Sequence, residues 1–245
     1  WNGIITLLNQ PYNDKLEILI VNDGSTDSTA KIAEKLTKLT NDKKEKIIRV
    51  INKENGGHGS TINKGISIAK GKYLKIMDAD DTVDSIEFSK LIKILESEDS
   101  DIILNNYIED YAYDNVLNFK NIYNFMIPGV KYNFEDLCYE GYGFNEWGPI
   151  LSCSTYKTEL LRKANFKLSE KTFYVDMELN ENISLACETI TYYPLNVYRY
   201  LLGRSNQSVA KSSYMRNYKH HEKVTINLIK TLYKNQEKIS NIRRE

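Results

Sequence analysis

The chain has 245 residues, of which 41% are hydrophobic and 27% are charged, as is usual for a globular protein with a sizeable core. Lys plus Arg and Asp plus Glu both number 33, so the net charge gives no indication of a nucleic-acid partner. No apolar run approaches the roughly 20 residues of a membrane span, and three widely spaced cysteines fit free thiols in a reducing compartment, so we expect a cytoplasmic protein.

The first 110 residues predict alternating helices and strands. A helix covers 1–10, and we expect that the strand which normally precedes such a helix is missing from the given sequence. The following strands are predicted at 17–22, 46–52, 72–81 and 101–110, and the helices between them at 25–39, 59–71 and 85–99. This alternation predicts an α/β fold with a mainly parallel central sheet flanked by helices.

The second half of the chain is less regular. A helix is predicted around 156–166 and a strand at 189–202, whereas the aromatic stretch 111–125 has no clear periodicity. The last 35 residues carry nine Lys or Arg against three Glu, a net charge of +6, and predict a helix with a basic face. We therefore divide the chain into a domain at 1–210 and a basic helical C-terminal segment at 211–245.

Three segments together resemble the family 2 glycosyltransferases, which have the GT-A fold. They are "VNDGSTDST" (21–29), "NGGHGSTINKGISIAKGKYLKIMDADD" (55–81) and "FYVDMEL" (173–179). The resemblance implies an inverting transferase that moves a hexosyl or N-acetylhexosaminyl group from a nucleoside diphosphate sugar, UDP by default. The acceptor would be a saccharide or a lipid-linked hydroxyl in bacterial cell-surface polysaccharide or glycan synthesis.

The acidic segment at 78–81 follows a predicted buried strand. In an extended segment Asp78 and Asp80 project to the same side, and such hard oxygen ligands suit Mn²⁺ or Mg²⁺. The resemblance implies that Asp80 contacts the metal, that Asp78 contacts the ribose or, through water, the metal, and that Ala79 contacts the nucleotide. The alternative is that Asp81 or Asp84 caps the next helix, a role that is compatible with the first.

A second carboxylate follows the first predicted strand. Asp23 and Gly24 lie in a turn at the carboxyl end of that strand, where parallel α/β sheets place their ligands. The resemblance implies that both residues contact the nucleoside. The alternative is a turn aspartate that accepts hydrogen bonds from its own backbone.

The glycine-rich loop after the second strand is a further candidate nucleotide contact, through Asn55 and Gly57. Its glycines let the backbone approach a ligand closely. Many relatives carry an arginine where this chain has Ile62, so we expect His58 or Lys64 to supply the positive charge at the diphosphate. The alternative for His58 is a solvent-exposed loop residue.

A general base must deprotonate the acceptor hydroxyl. By resemblance this base is Asp176, at the start of a predicted helix, with Glu178 as its rival. The alternative is an aspartate that merely stabilises the helix dipole. Arg199 and Arg204 are candidate diphosphate contacts or surface ion pairs, and Trp147 is a candidate acceptor contact or a core residue.

Two other functions are consistent with the motifs. A sugar-1-phosphate nucleotidyltransferase also uses an α/β nucleotide domain and Mg²⁺, and a non-catalytic binder of nucleotide sugars would keep the acidic segment without turnover. The basic C-terminal helix also suggests peripheral contact with the inner face of the plasma membrane, for which a solvated helix or a contact with a further domain is the alternative.

Overall fold

A computed structural model describes residues 2–41, 48–111, 114–139, 148–203 and 211–236. The elements follow in the order α1 (Asn2–Leu8), β1 (Ile18–Asp23), α2 (Thr29–Asn41), β2 (Ile48–Lys53), α3 (His58–Ile68), β3 (Tyr73–Leu74), β4 (Thr82–Val83), α4 (Ser85–Ser97), β5 (Ile102–Tyr111), β6 (Val116–Lys120), β7 (Lys131–Asn133), α5 (Phe134–Tyr139), β8 (Ser154–Lys157), α6 (Thr158–Lys163), α7 (Val175–Ser184), β9 (Thr189–Leu201), α8 (Lys211–Arg216) and α9 (Tyr218–Asn235). The α/β class and the C-terminal helix are confirmed. The third predicted strand is cut to two residues.

Two strands form a small parallel sheet near the N-terminus. β1 and β2 pair in register from Ile18 opposite Ile48 to Asp23 opposite Lys53. Helix α2 packs against this pair through Leu36, which is buried with Ile18 and Ile48. The carboxyl ends of both strands therefore lie side by side, and each ends on a charged residue.

The larger sheet is mixed rather than mainly parallel, which corrects that part of the sequence-based prediction. Its strands follow the order β3-β8-β5-β9-β4, with β6 beside β5 and β7 beside β9. Among the strands of this sheet in the described ranges, only β5 and β9 pair in parallel, and the remaining pairs are antiparallel. β6 follows β5 after a short chain reversal, and a short reversal can join strands only in antiparallel orientation.

Helices cover both faces of the sheet, and β5 is therefore buried on both sides. Ile102 and Leu104 belong to a core shared with α3 and α7, whereas Ile103 belongs to the core beneath α4. This alternation follows from the period of two in a strand. It explains why the apolar residues of β5 form a continuous run rather than an alternating pattern.

The C-terminal segment continues as two helices that are separated at Asn217. The inner face of α9 packs against α7 and buries Val224 completely. None of the helices in the described ranges has the combination of length and hydropathy that crossing a bilayer requires. The division of the chain at residue 210 stays a prediction.

Candidate active site

Asp23 joins the end of β1 to the glycine-rich loop. Its carboxylate accepts hydrogen bonds from Lys53 Nζ at 2.5 Å, Gly56 N at 2.9 Å and Gly57 N at 2.7 Å. Partial burial raises the pKa of Asp23, but these hydrogen bonds outweigh it and hold the pKa below its usual range. Asp23 thus bonds the backbone of a distant loop, not that of its own turn.

The glycines of this loop pack against the segment at 168–172, and not against open space for a ligand. Lys171 N donates to Gly56 O at 2.6 Å. Gly57 has a φ of 79°, and a Cβ at this position would lie 3.1 Å from Lys171 Cα. A Cβ on Gly59 would lie 2.2 Å from Ser169 O. These close approaches are to the protein itself, and the nucleotide contacts of Asn55 and Gly57 stay predictions.

The loop ends at His58, which begins α3 and faces the acidic segment. His58 Nε2 lies 3.5 Å from Asp78 Oδ1, so a protonated His58 forms an ion pair with Asp78. Burial raises the pKa of Asp78; His58 opposes this shift, and the nearby carboxylates of Asp80 and Asp176 add to it. Carboxylates from two distant segments therefore converge at this point, and His58 is placed to supply positive charge there.

The acidic segment is a turn and not the extended chain that we expected. Asp81 N donates to Asp78 O at 3.2 Å, which leaves Asp80 exposed at the tip. Asp81 is buried and accepts hydrogen bonds from Tyr198 Oη at 2.6 Å and Leu201 N at 2.9 Å. Burial raises its pKa to about 6 although these hydrogen bonds oppose the shift. Asp81 therefore fixes the turn against β9.

Asp84 has the capping role that we considered for it. Its Oδ1 accepts from the backbone N–H groups of Ile86 and Glu87, both at 3.1 Å, in the first turn of α4. Its Oδ2 accepts from Arg199 Nη2 at 2.9 Å. This arrangement agrees with the ion-pair alternative for Arg199, which is thereby engaged away from the acidic turn.

The two carboxylates at the start of α7 have different surroundings. Asp176 is exposed in the first turn, whereas Glu178 is buried and accepts from Ser169 N and Oγ at 2.8 Å and from Asn227 Nδ2 at 2.9 Å. Helix α7 begins after Tyr174, whose φ of 65° is left-handed. Asp176 is therefore available to a ligand, and Glu178 connects α7, α9 and the 168–172 segment.

This connection gives a prediction for stability. Asn227→Ala removes the donors to Ser169 Oγ and Glu178 and should lower the free energy of unfolding by about 1–2 kcal/mol. The matched control on the same helix is Asn235→Ala, whose side chain donates to Thr231 O, and its effect should stay within about 0.5 kcal/mol. Urea denaturation measures both. Equal losses would mean that Asn227 does not hold the segment in place.

Of the remaining candidate residues, two lie in the loops described above, one lies on α3 and two are outside the described residues. Gly24 lies directly against the Asn55 backbone, so the two candidate nucleotide loops touch, and Ala79 is exposed in the acidic turn. Lys64 is exposed on α3, on the far side of the buried Ile62. Trp147 and Arg204 lie outside the described residues.

Two structurally important residues were missed from the sequence. Lys53 could have been found, since two parallel strands in register that end on Asp23 and Lys53 place these residues side by side. Asn63 exchanges hydrogen bonds of 3.0 Å with both backbone groups of Leu168. No local sequence pattern predicts the contact between Asn63 and Leu168.

A divalent cation fits the acidic turn. Asp78 carries negative charge that burial and neighbouring carboxylates make unfavourable, and the available donors are the carboxylate oxygens that Mg²⁺ and Mn²⁺ prefer. Within the described ranges, no three His, Cys, Asp or Glu side chains are grouped to hold a metal ion.

The α/β architecture and the converging carboxylates define the chain as a GT-A type glycosyltransferase fold. A family model described as "Glycosyl transferase family 2" matches residues 3–167, and the chain belongs to this family. Glycosyltransferase GlyG of Streptococcus pneumoniae is 29% identical over 204 residues, which are 79% of this chain and 63% of GlyG. Cholesterol galactosyltransferase of Borreliella burgdorferi is 26% identical over 238 residues, which are 94% of this chain and 62% of that protein. The chain thus spans less than two thirds of either relative.

Solved structures have the same fold. Staphylococcus aureus TarS 1–349 in complex with UDP-GlcNAc superimposes with a TM-score of 0.62 at 18% identity, covering 87% of this chain and 59% of that one. The mannosyltransferase PcManGT of Pyrobaculum calidifontis, in complex with GDP-Man and Mn²⁺, gives a TM-score of 0.61 at 16% identity, covering 92% and 59%. At this level of identity the likeness concerns the fold alone.

Proposed function

We propose that the chain transfers a sugar from a nucleoside diphosphate sugar to an acceptor hydroxyl with inversion at the anomeric carbon. The observation that carries this proposal is the convergence of carboxylates from two distant segments. Asp80 and Asp176 lie close enough to Asp78 to raise its pKa, in addition to the effect of its partial burial. An acidic turn beside an exposed carboxylate suits a reaction that needs a cation and a base at one point.

In the proposed reaction the acceptor oxygen attacks the anomeric carbon while the Asp176 carboxylate takes its proton. The bond between the anomeric carbon and the diphosphate oxygen breaks, and the nucleoside diphosphate leaves with the electron pair. One displacement with one base inverts the configuration. Asp176 is suited to this role because it is exposed, whereas both Glu178 oxygens already accept hydrogen bonds from the protein.

Asp80, together with Asp78, would hold Mn²⁺ or Mg²⁺. When bound, the ion supplies positive charge that stabilises the leaving diphosphate. A protonated His58 would place positive charge beside Asp78. Asp23 contributes by holding the glycine-rich loop, and with it His58, in position.

The donor and acceptor classes are part of the proposal. UDP is the first candidate nucleotide, in line with the UDP-GlcNAc complex of TarS, and GDP is the second, in line with the PcManGT complex. A saccharide or a lipid-linked sugar of a bacterial cell surface is the acceptor class, and a relative that is named for transfer to cholesterol makes a lipid hydroxyl a candidate as well. We place the reaction at the cytoplasmic face of the plasma membrane.

Calorimetric titration tests the donor site. UDP, GDP and dTDP are each titrated with and without Mn²⁺ into the wild type, Asp80→Ala and, as a control carboxylate away from the turn, Glu170→Ala. One nucleotide should bind in a metal-dependent manner, and Asp80→Ala should weaken that binding by about tenfold or more. Glu170→Ala should bind as the wild type does. If Asp80→Ala bound the nucleotide as tightly as the wild type does, and without a metal requirement, the proposed role of the metal ion would be wrong.

A further inference from the structure

The outer face of α9 exposes large apolar side chains. They are exposed by 42% to 74%, and they are Tyr218, Ile226, Ile229, Leu232 and Tyr233. At about 100° per residue these positions fall within a sector of about 120° on the helix surface. The opposite side of α9 carries the buried Val224 and Asn227, which bonds Ser169 and Glu178. The helix therefore has a packed face and an apolar face that is exposed in the described structure.

A row of lysines runs along one edge of this apolar face. Lys219, Lys223, Lys230 and Lys234 fall in an adjacent sector of about 60°, and all four are exposed. Glu222, the only acidic residue in the sequence of α9, lies on the apolar face itself, between the angular positions of Ile229 and Tyr233, and is exposed. Lys223 also donates to Thr172 Oγ1 at 2.9 Å, and Lys230 and Lys234 share the lining of a cavity with Glu181. Four lysines against one glutamate still give the exposed side of α9 a net positive charge, which suits an anionic partner.

The combination identifies the chemistry of that partner. Aliphatic residues in the centre, a tyrosine near each end and lysines along one edge match the layers of a bilayer surface, where acyl chains lie below polar and charged headgroups. Protein interfaces, in contrast, are depleted in lysine relative to the rest of the surface. An anionic lipid surface satisfies both the apolar residues and the lysine row.

We infer that α9 lies in the interface of a bilayer that contains anionic lipid, with its apolar face toward the acyl chains. This inference deepens the proposed function and rests on it for its purpose, which is to bring the enzyme to a lipid-borne acceptor. Because the inner face of α9 packs on α7, the helix that carries Asp176 would stand about one helix diameter, roughly 10 Å, above the lipid surface. A saccharide linked to a lipid headgroup extends into that space.

Vesicle co-sedimentation tests the inference. The chain is mixed with vesicles of phosphatidylcholine alone or of phosphatidylcholine and phosphatidylglycerol in equal parts. The wild type should bind the mixed vesicles and not the neutral ones. The double variant Ile229→Ser with Tyr233→Ser should lower the partition coefficient by about tenfold or more, and so should Lys230→Glu with Lys234→Glu. Ile127→Ser, which changes an isoleucine that is 63% exposed outside α9, should bind as the wild type does.

The outcomes separate the inference from the proposed function. Nucleotide titration without vesicles reports on the donor site alone, so a chain that binds nucleotide but no vesicle would overturn only the lipid inference. Equal binding by the charge-reversal variant and the wild type would also overturn it. Sedimentation velocity without lipid provides a third check. A dimer that the Ile229→Ser and Tyr233→Ser changes dissociate would identify the face as a contact between copies and would overturn the lipid inference as well.

Discussion

Asp176→Asn should lower the rate of sugar transfer by about two to four orders of magnitude, because the amide cannot take the proton from the acceptor hydroxyl. Nucleotide binding should be retained, since the substitution keeps the shape of the side chain and removes a charge that repels Asp78. Turnover of the donor identified by titration measures the first effect, and calorimetry measures the second.

The control for this experiment is Glu170→Gln, an exposed carboxylate outside the acidic turn that pairs with Lys167 and should leave turnover unchanged. Normal turnover in Asp176→Asn would exclude Asp176 as the base. A wild type that binds nucleotide but shows no turnover with any donor would instead favour the non-catalytic binder. The nucleotidyltransferase is disfavoured already, because the chain belongs to a glycosyltransferase family.

Gly59→Ala should be strongly destabilising. The added Cβ would lie 2.2 Å from the backbone oxygen of Ser169, and a backbone atom cannot move aside as a flexible side chain can. We expect a loss of about 2–3 kcal/mol in the free energy of unfolding. The matched control is Gly65→Ala on the same helix, where the added Cβ would meet nothing within 4 Å apart from its chain neighbours and the backbone of its own helix.

Gly65→Ala should stabilise the protein by about 0.5–1 kcal/mol, because alanine favours the helix over the unfolded chain. Urea denaturation of both variants gives the difference directly. If Gly59→Ala also raised the free energy of unfolding slightly, as Gly65→Ala should, the glycine-rich loop would not be packed tightly against the 168–172 segment. The pair thus tests the packing on which the position of His58 depends.

The sequence was sufficient for features that depend on neighbouring residues. The apolar runs located β1, β2, β5 and β9, and Asp23 lies at the carboxyl end of the first of these strands. The cap at Asp84 also follows from local chemistry, because aspartate suits the position before a helix.

Features that depend on distant contacts could not be derived in this way. The hydrogen bond from Tyr198 to Asp81 joins residues 117 positions apart, and the ion pair of Arg199 with Asp84 joins residues 115 positions apart. Neither pair differs in composition from ordinary surface residues. The same holds for strand direction, since β8 has the composition of a buried strand whichever way it runs against β5.

The carboxylates in and beside the acidic turn differ in whether they hold the fold together or face solvent. Asp81 and Asp84 hold the turn and α4 in place, whereas Asp80 makes its tip available to solvent. Under the proposed function, a relative that lost catalysis could lose Asp80 and Asp176, whereas selection for folding alone would keep Asp81 and Asp84. Inactive relatives would then keep Asp81 and Asp84, and a count of aspartates in this segment would wrongly classify them as active. The diagnostic comparison is whether the exposed carboxylates survive alongside the buried one.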